Sequence, residues 1–253
     1  MSNTHLEFNM LIGANKPENI INKNASCPFC DRDSLENIID EDRAIILLKN
    51  KYPVLKDAYQ TVIIETDDCH SELSTYSKDH LYRLLSFSLN HWIKLMNTNE
   101  YQSVIFFKNH GPYSGGSLRH PHMQIVGLNY VDYSQNVSIR DFEGIHIASK
   151  DGVLFNISSF PRMGFVELNI KLPSFEKHLV MADYIQIATH YVLNHFHKNC
   201  NSYNLFFYYV ENEIYAKVIP RFTTSPLFVG YSIPQVSNQT SRIAKNIQEK
   251  YFK

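Results

Sequence analysis

Two histidines two positions apart, His120 and His122, followed by Gln124, form the densest group of reactive side chains in this sequence. On an extended segment, residues two apart point to the same face, so the three make a row. Such a row costs free energy if it merely packs, which points to chemistry. Just before it runs Asn-His-Gly-Pro-Tyr-Ser-Gly-Gly-Ser-Leu-Arg, from Asn109 to Arg119. The backbone N–H groups of Gly115, Gly116 and Ser117, with the Ser117 hydroxyl, suit a phosphate-sized anion nest. Gln124 is a neutral donor suited to a non-bridging phosphate oxygen. A neutral imidazole at His122, with one ring nitrogen tied to a backbone carbonyl, suits attack on phosphorus. The plainer readings are a solvent-exposed turn for the loop and an ordinary hydrogen-bonded histidine for His122.

A second chemical signal is Cys27-Pro28-Phe29-Cys30. A CxxC turn aims two sulfurs at one point, which is half of a tetrahedral zinc site. The same spacing serves redox pairs, normally at a helix start in a βαβ setting. Here it follows an irregular polar stretch and precedes an acidic one. Zinc needs four N or S ligands. His120 is the third, because it lies beside the other dense polar cluster. His70 is the fourth, with its neighbour Cys69 as rival. A set of N and S ligands with no place for water describes a structural Zn²⁺ rather than a catalytic one.

The elements that must position these groups follow from pattern. Strands are expected at Arg43 to Lys49, Gln60 to Glu65, and Ser103 to Phe107, then on the segment carrying the histidines. Apolar residues at helical spacing (Leu81, Leu84, Leu85, Leu89, Trp92, Ile93, Met96) predict a helix from Lys78 to Met96. Gly144 to Ile157 reads as a hairpin turning at Lys150-Asp151-Gly152. Gly164 to Lys171 is the next strand, Val180 to Phe196 the next helix, and Tyr203 to Val210 and Tyr215 to Pro220 are strands. A short polar helix starts at about Thr240, and residues 1–26 read as polar and irregular.

The order strand, helix, strand, strand occurs twice, roughly 100 residues apart. That predicts an α+β protein of two similar units with antiparallel sheets and packed helices, divided as 1–135 and 136–253. The second copy has Ala216 to Pro220 where the first has its histidine row, so chemistry is expected in the first. Composition narrows the class further. A net charge of -1 over 253 residues speaks against a nucleic-acid partner. No apolar run is long enough to span a membrane, and the start lacks a signal-peptide core. A cytoplasmic protein with reduced thiols is expected.

Phe107, Asn109, Gly111, Ser114, Gly115 and Ser117, leading to His120-Pro121-His122-Met123-Gln124, resemble the signature of galactose-1-phosphate uridylyltransferases. The pattern is similar to the wider histidine-triad superfamily, which includes dinucleoside polyphosphate phosphorylases and ADP-glucose phosphorylase. The resemblance spans most of the chain and implies two tandem histidine-triad-like units. It implies His122 as the nucleophile of a covalent nucleotidyl-histidine, with Asn109, Ser117 and Gln124 at the phosphates and Ser114 among the substrate-binding residues. It matches Cys27, Cys30, His70 and His120 to a zinc site. Phe228-Val229-Gly230-Tyr231 resembles the segment that reaches the sugar phosphate. The implied substrates are a UDP- or ADP-hexose or a dinucleotide, with a sugar 1-phosphate or phosphate as acceptor. Lys108, Arg119 and Arg221 are candidates to neutralise the leaving group, and a homodimer is implied. Met123, Ser232 and Asn238 depart from the family pattern, so the resemblance carries the reaction type and leaves the acceptor open. A phosphorylase or hydrolase of nucleotide polyphosphates, and a zinc-stabilised nucleotide-binding protein without catalysis, are the other readings.

Overall fold

A computed structural model describes residues 4–253 and divides the chain into two compact units. The first holds the residues up to Glu72, Tyr76–Lys108 and Gly115–Asn136; the second holds Leu73–Thr75, Asn109–Ser114 and Val137–Lys253. No helix among the described residues is long and apolar enough to cross a membrane.

In the first unit the elements are α1 (Met10–Ala14), β1 (Ile38–Asp42), β2 (Ile45–Lys49), β3 (Ala58–Ile64), α2 (Lys78–Asn97), β4 (Ser103–His110) and β5 (His122–Leu128). The strands pair antiparallel in the order β1-β2-β3-β5-β4. The α2 helix starts where the Ser77 side chain accepts the His80 N–H, with Asp79 in its first turn, as capping and the helix dipole favour. Its Leu81, Leu84, Leu85, Leu89 and Trp92 are fully buried, and the Trp92 indole donates to the Val104 carbonyl at 3.0 Å. In β5 the residues alternate as strand geometry demands. Met123 and Ile125 are buried on one face, while His122 and Gln124 share the other. Register places His122 opposite Ile64 and Gln124 opposite Val62. The histidine face therefore continues into an apolar surface of Ile46, Leu48, Val62 and Ile64, against which Phe29 and Leu35 pack.

The second unit contains β6 (Gly144–Lys150), β7 (Val153–Ser158), β8 (Leu168–Leu172), α3 (His178–Tyr191), β9 (Tyr203–Val210), β10 (Glu213–Pro220), α4 (Pro226–Tyr231) and α5 (Thr240–Tyr251). Its strands run β9-β10-β8-β7-β6, again antiparallel. The connectivity β1-β2-β3-α2-β4-β5 is repeated as β6-β7-β8-α3-β9-β10, with the last strand between its third and fourth in both. The β6–β7 turn has positive φ at Asp151 and Gly152 (51° and 84°), the conformation a two-residue hairpin needs. Phe155 on β7 stacks on Tyr184 of α3 at 5.4 Å. On β10, Lys217 is fully buried, with Nζ 2.8 Å from Glu167 and 2.7 Å from the Asp141 carbonyl. That strand carries a structural ion pair in place of the histidine row.

Two expectations shift most at an edge. The helix read as Val180 to Phe196 ends its α form at Tyr191, and Val192–Phe196 form a π-helical turn. The strand read as Gly164 to Lys171 begins only at Leu168, because Glu167 turns inward and accepts the Met163 and Gly164 N–H groups as well as Lys217.

Gly111 opens the loop after β4 with φ +82°, and a Cβ there would lie 2.2 Å from the Asn201 carbonyl and 2.5 Å from Ser202 Oγ. Gly111→Ala combines left-handed strain with a backbone clash. It is expected to destabilise the protein by about 2 kcal/mol or more, read as a lower urea midpoint at unchanged slope.

Candidate functional site

The two histidines are held in opposite tautomers. His120 is fully buried and its Nε2 lies 2.8 Å from the Thr66 carbonyl. A carbonyl only accepts, so Nε2 carries the proton and Nδ1 keeps its lone pair. That Nδ1 faces the sulfurs of Cys27 and Cys30, 3.5 Å from each. His122 is the reverse. Its Nδ1 lies 2.7 Å from the His120 carbonyl and must donate, which leaves the lone pair on Nε2. Burial, first of all, brings the His122 pKa down to about 4, the hydrogen bond to His120 opposes this, and the charges of Lys108, His120 and Lys16 add to the lowering. His122 is thus a neutral imidazole. Phe29, inside the CxxC turn, meets both rings edge-on at 5.8 and 5.5 Å.

The ligand atoms of Cys27, Cys30, Cys69 and His120 all lie within 4.8 Å of one another. Three thiols so close cannot all ionise without a cation between them. Burial pushes the Cys69 thiol up to about 12, helped by the charge and hydrogen bonds of Cys27 and Cys30, and burial raises Cys30 too. Burial also raises Cys27, but hydrogen bonds from His120, the Phe29 backbone and Cys30 outweigh it and bring it to about 6. Three sulfurs and one imidazole nitrogen, with the other imidazole nitrogen fixed by a carbonyl, are a donor set that fits a tetrahedral metal. The fourth member is Cys69, not His70. The Asp68 carboxylate accepts the His70 N–H at 2.8 Å, and His70 is exposed while Cys69 is partly covered.

Beside His122 lies a cavity of about 200 Å³. Its lining includes the apolar Phe29, Leu35, Leu48 and Val62 and the polar His122, Gln124, Ser117 and Lys16; the Lys16 charge acts on the His122 ring. The loop carrying Ser117 is stapled by Asn19. The Asn19 N–H donates to the Ser117 carbonyl at 3.0 Å, and the Asn19 side chain accepts the Arg119 N–H at 2.7 Å. Gly115, with φ +84°, makes the turn that leads into it.

The other sequence candidates have separate places. Lys108 is buried and ion-paired with Glu65, which also accepts the Tyr76 hydroxyl at 2.9 Å. It is spent inside the unit and does not face the cavity. Arg119 is exposed. In the second unit, Arg221 donates to Asn204 Oδ1 at 2.6 Å, and Asn204 Nδ2 donates to Asn109 Oδ1 at 2.6 Å and to the Ser114 carbonyl at 2.9 Å. Asn109, Ser114 and Arg221 thus form one hydrogen-bonded chain through a buried asparagine. Phe228 and Tyr231 lie on α4, with Tyr231 75% exposed. Lys16 and Asn19 were missed by reading residues 1–26 as irregular. A local Glu18 and Asn19 turn pattern was the available hint, and the staple itself spans 100 positions.

Residues 8–131 match the family described as Domain of unknown function (DUF4931) N-terminal domain, and residues 134–252 match its C-terminal domain. A DUF4931 family protein from Bacillus cereus ATCC 10987 is 46% identical, covering 85% of this chain and 100% of its own, with a TM-score of 0.78. A uridylyltransferase structure is similar at 15% identity, covering 90% and 93% of the two chains, with a TM-score of 0.70. An ADP-glucose phosphorylase from Arabidopsis thaliana with bound ADP-glucose is similar at 15% identity, covering 94% and 93%, with a TM-score of 0.69. No curated protein matches the chain. The last two likenesses carry the α+β fold.

Proposed function

The chain belongs to the DUF4931 family, and we propose that it is a nucleotidyltransferase working through a covalent nucleotidyl-histidine on His122. The observation that carries this reading is the His122 tautomer. Its Nδ1–H is committed to a backbone carbonyl, and its Nε2 lone pair is held neutral beside the cavity. Nε2 attacks the α-phosphorus of a UDP- or ADP-hexose, or of a dinucleotide. The N–P bond forms as the P–O bond to the leaving phosphate breaks, and the leaving group departs with the electron pair. A phosphate oxygen of the acceptor, a sugar 1-phosphate or inorganic phosphate, then attacks the same phosphorus and releases His122. The His120 carbonyl supports the positive charge that develops on the ring, and Gln124, Ser117 and the Gly115–Gly116 backbone donate to the phosphorus oxygens. Cys27, Cys30, Cys69 and His120 would hold a structural Zn²⁺, whose chemistry when bound would be to fix the CxxC turn beside the segment leading into β5. The occurrence of the same fold in a uridylyltransferase and an ADP-glucose phosphorylase supports this class.

Intact-protein mass spectrometry after incubation with UDP- or ADP-hexoses is expected to show one added nucleoside monophosphate. That adduct is expected to disappear on adding a sugar 1-phosphate or inorganic phosphate, and the effective acceptor separates transferase from phosphorylase. A hydrolase clears it with water alone. Absence of any adduct with all of these donors, and with a dinucleoside tetraphosphate, overturns the reading.

A further inference from the structure

Lys16 lines the same cavity as His122, Ser117 and Gln124. It follows α1, where its N–H donates to the Gly13 carbonyl, and it precedes by three residues the Asn19 that staples the Ser117 loop. The lining of the cavity thus comes from the Lys16 segment as well as from β5, and the Lys16 charge acts on the His122 ring. Lys16 is half-buried, and its ammonium group has no hydrogen-bond or ion-pair partner among the described residues. Burial alone pulls its pKa down, with no carboxylate acting to raise it. Asp31 and Glu36 also line the cavity but do not pair with it, and Lys49 and Lys51 are exposed. An ammonium group partly withdrawn from water with no counter-charge is costly. It is retained where an anion arrives to pair with it.

We infer that Lys16 is the cationic phosphate contact of this cavity, pairing with the 5′-phosphate of a bound nucleotide beside the His122 ring. This rests on the nucleotidyltransferase reading for its ligand class but makes a claim of its own. It gives Lys16 the role that the sequence suggested for Lys108, whose charge Glu65 consumes. Because the pair forms partly out of water, salt screens it less than a surface contact. An ammonium is a compact point charge, so a guanidinium preserves the attraction, whereas a neutral chain of equal length does not.

The test is calorimetric titration of UMP, AMP and the nucleosides uridine and adenosine into wild type, Lys16→Met, Lys16→Arg and the exposed control Lys23→Met. Lys16→Met is expected to weaken the preferred nucleotide by about 10- to 100-fold, the usual range for a charge-assisted contact. Nucleoside affinity and the melting temperature stay unchanged, and Lys16→Arg restores most of the loss. Equal nucleotide affinity in wild type and Lys16→Met overturns the inference. So does a matching loss for nucleoside and nucleotide, or no nucleotide binding to wild type. If Lys16→Met loses nucleotide affinity while wild type never forms a covalent adduct, Lys16 stands and the transferase reading fails. If the adduct forms equally fast in Lys16→Met, the reverse holds.

Discussion

His122→Ala is expected to abolish the covalent nucleotide adduct and to lower turnover by about 10⁴-fold or more, the scale seen when a nucleophile is deleted. The nucleotide stays bound within about tenfold, because Lys16, Ser117, Gln124 and the apolar lining are untouched. This split, lost chemistry with retained binding, is what separates a nucleophile from a scaffold residue. The ring is 8% exposed and meets Phe29, so its removal leaves a small gap. It also leaves the His120 carbonyl short of a donor, at a cost of about 1–2 kcal/mol. His122→Gln fills the gap with a polar side chain that cannot form the intermediate. It is expected to show the same loss of adduct with a smaller loss of stability. On wild type, the adduct should have the acid lability of a P–N bond and survive mild base. An adduct that persists on both variants, or that maps to another residue, removes His122 from this role.

The parts of this arrangement that could be read from the chain are those fixed by local spacing. The His120, His122, Gln124 row needs only strand periodicity, and the α2 stripe only helical periodicity. The Asp151-Gly152 turn declares its positive φ by composition. The repeat of connectivity was legible because each copy carries its own helix between the same strand types. What was hidden depends on partners distant in sequence or on exposed segments. The edge strand β1, Ile-Ile-Asp-Glu-Asp, is mostly exposed, so it lacks the alternation that burial imposes. Lys108 looked available because nothing near it in sequence is acidic, and its partner Glu65 is 43 positions away. Lys16 looked idle because the loop it accompanies lies about 100 positions on. Burial, not sequence, also decides that Glu167 faces Lys217 and so delays β8.

Cys69→Ser is expected to lower bound metal well below one equivalent and to drop the melting temperature by about 10 °C or more, while His70→Ala changes neither. The two residues are neighbours, so the sequence offers them equally, and only the turn decides between them. Asp68 closes that turn, its carboxylate taking the His70 N–H and its carbonyl the Ser71 hydroxyl. One side chain then points to the sulfurs of Cys27 and Cys30, and the next one points to water. Losing a ligand from a closed four-ligand site removes folding free energy outright, because the unfolded chain has no preformed site. A loss of about 3–5 kcal/mol in a chain of this size corresponds to about 10 °C or more. An exposed imidazole contributes within about 0.5 kcal/mol, and His70→Ala keeps the backbone N–H that Asp68 accepts. Chelator treatment of wild type should reproduce the Cys69→Ser melting curve, and Cys27→Ser and Cys30→Ser should match it. The same treatment is expected to slow adduct formation, because the His122 Nδ1 proton is held by the backbone carbonyl of His120, a member of the proposed metal cluster. Full metal content in Cys69→Ser together with loss in His70→Ala would return the fourth position to His70.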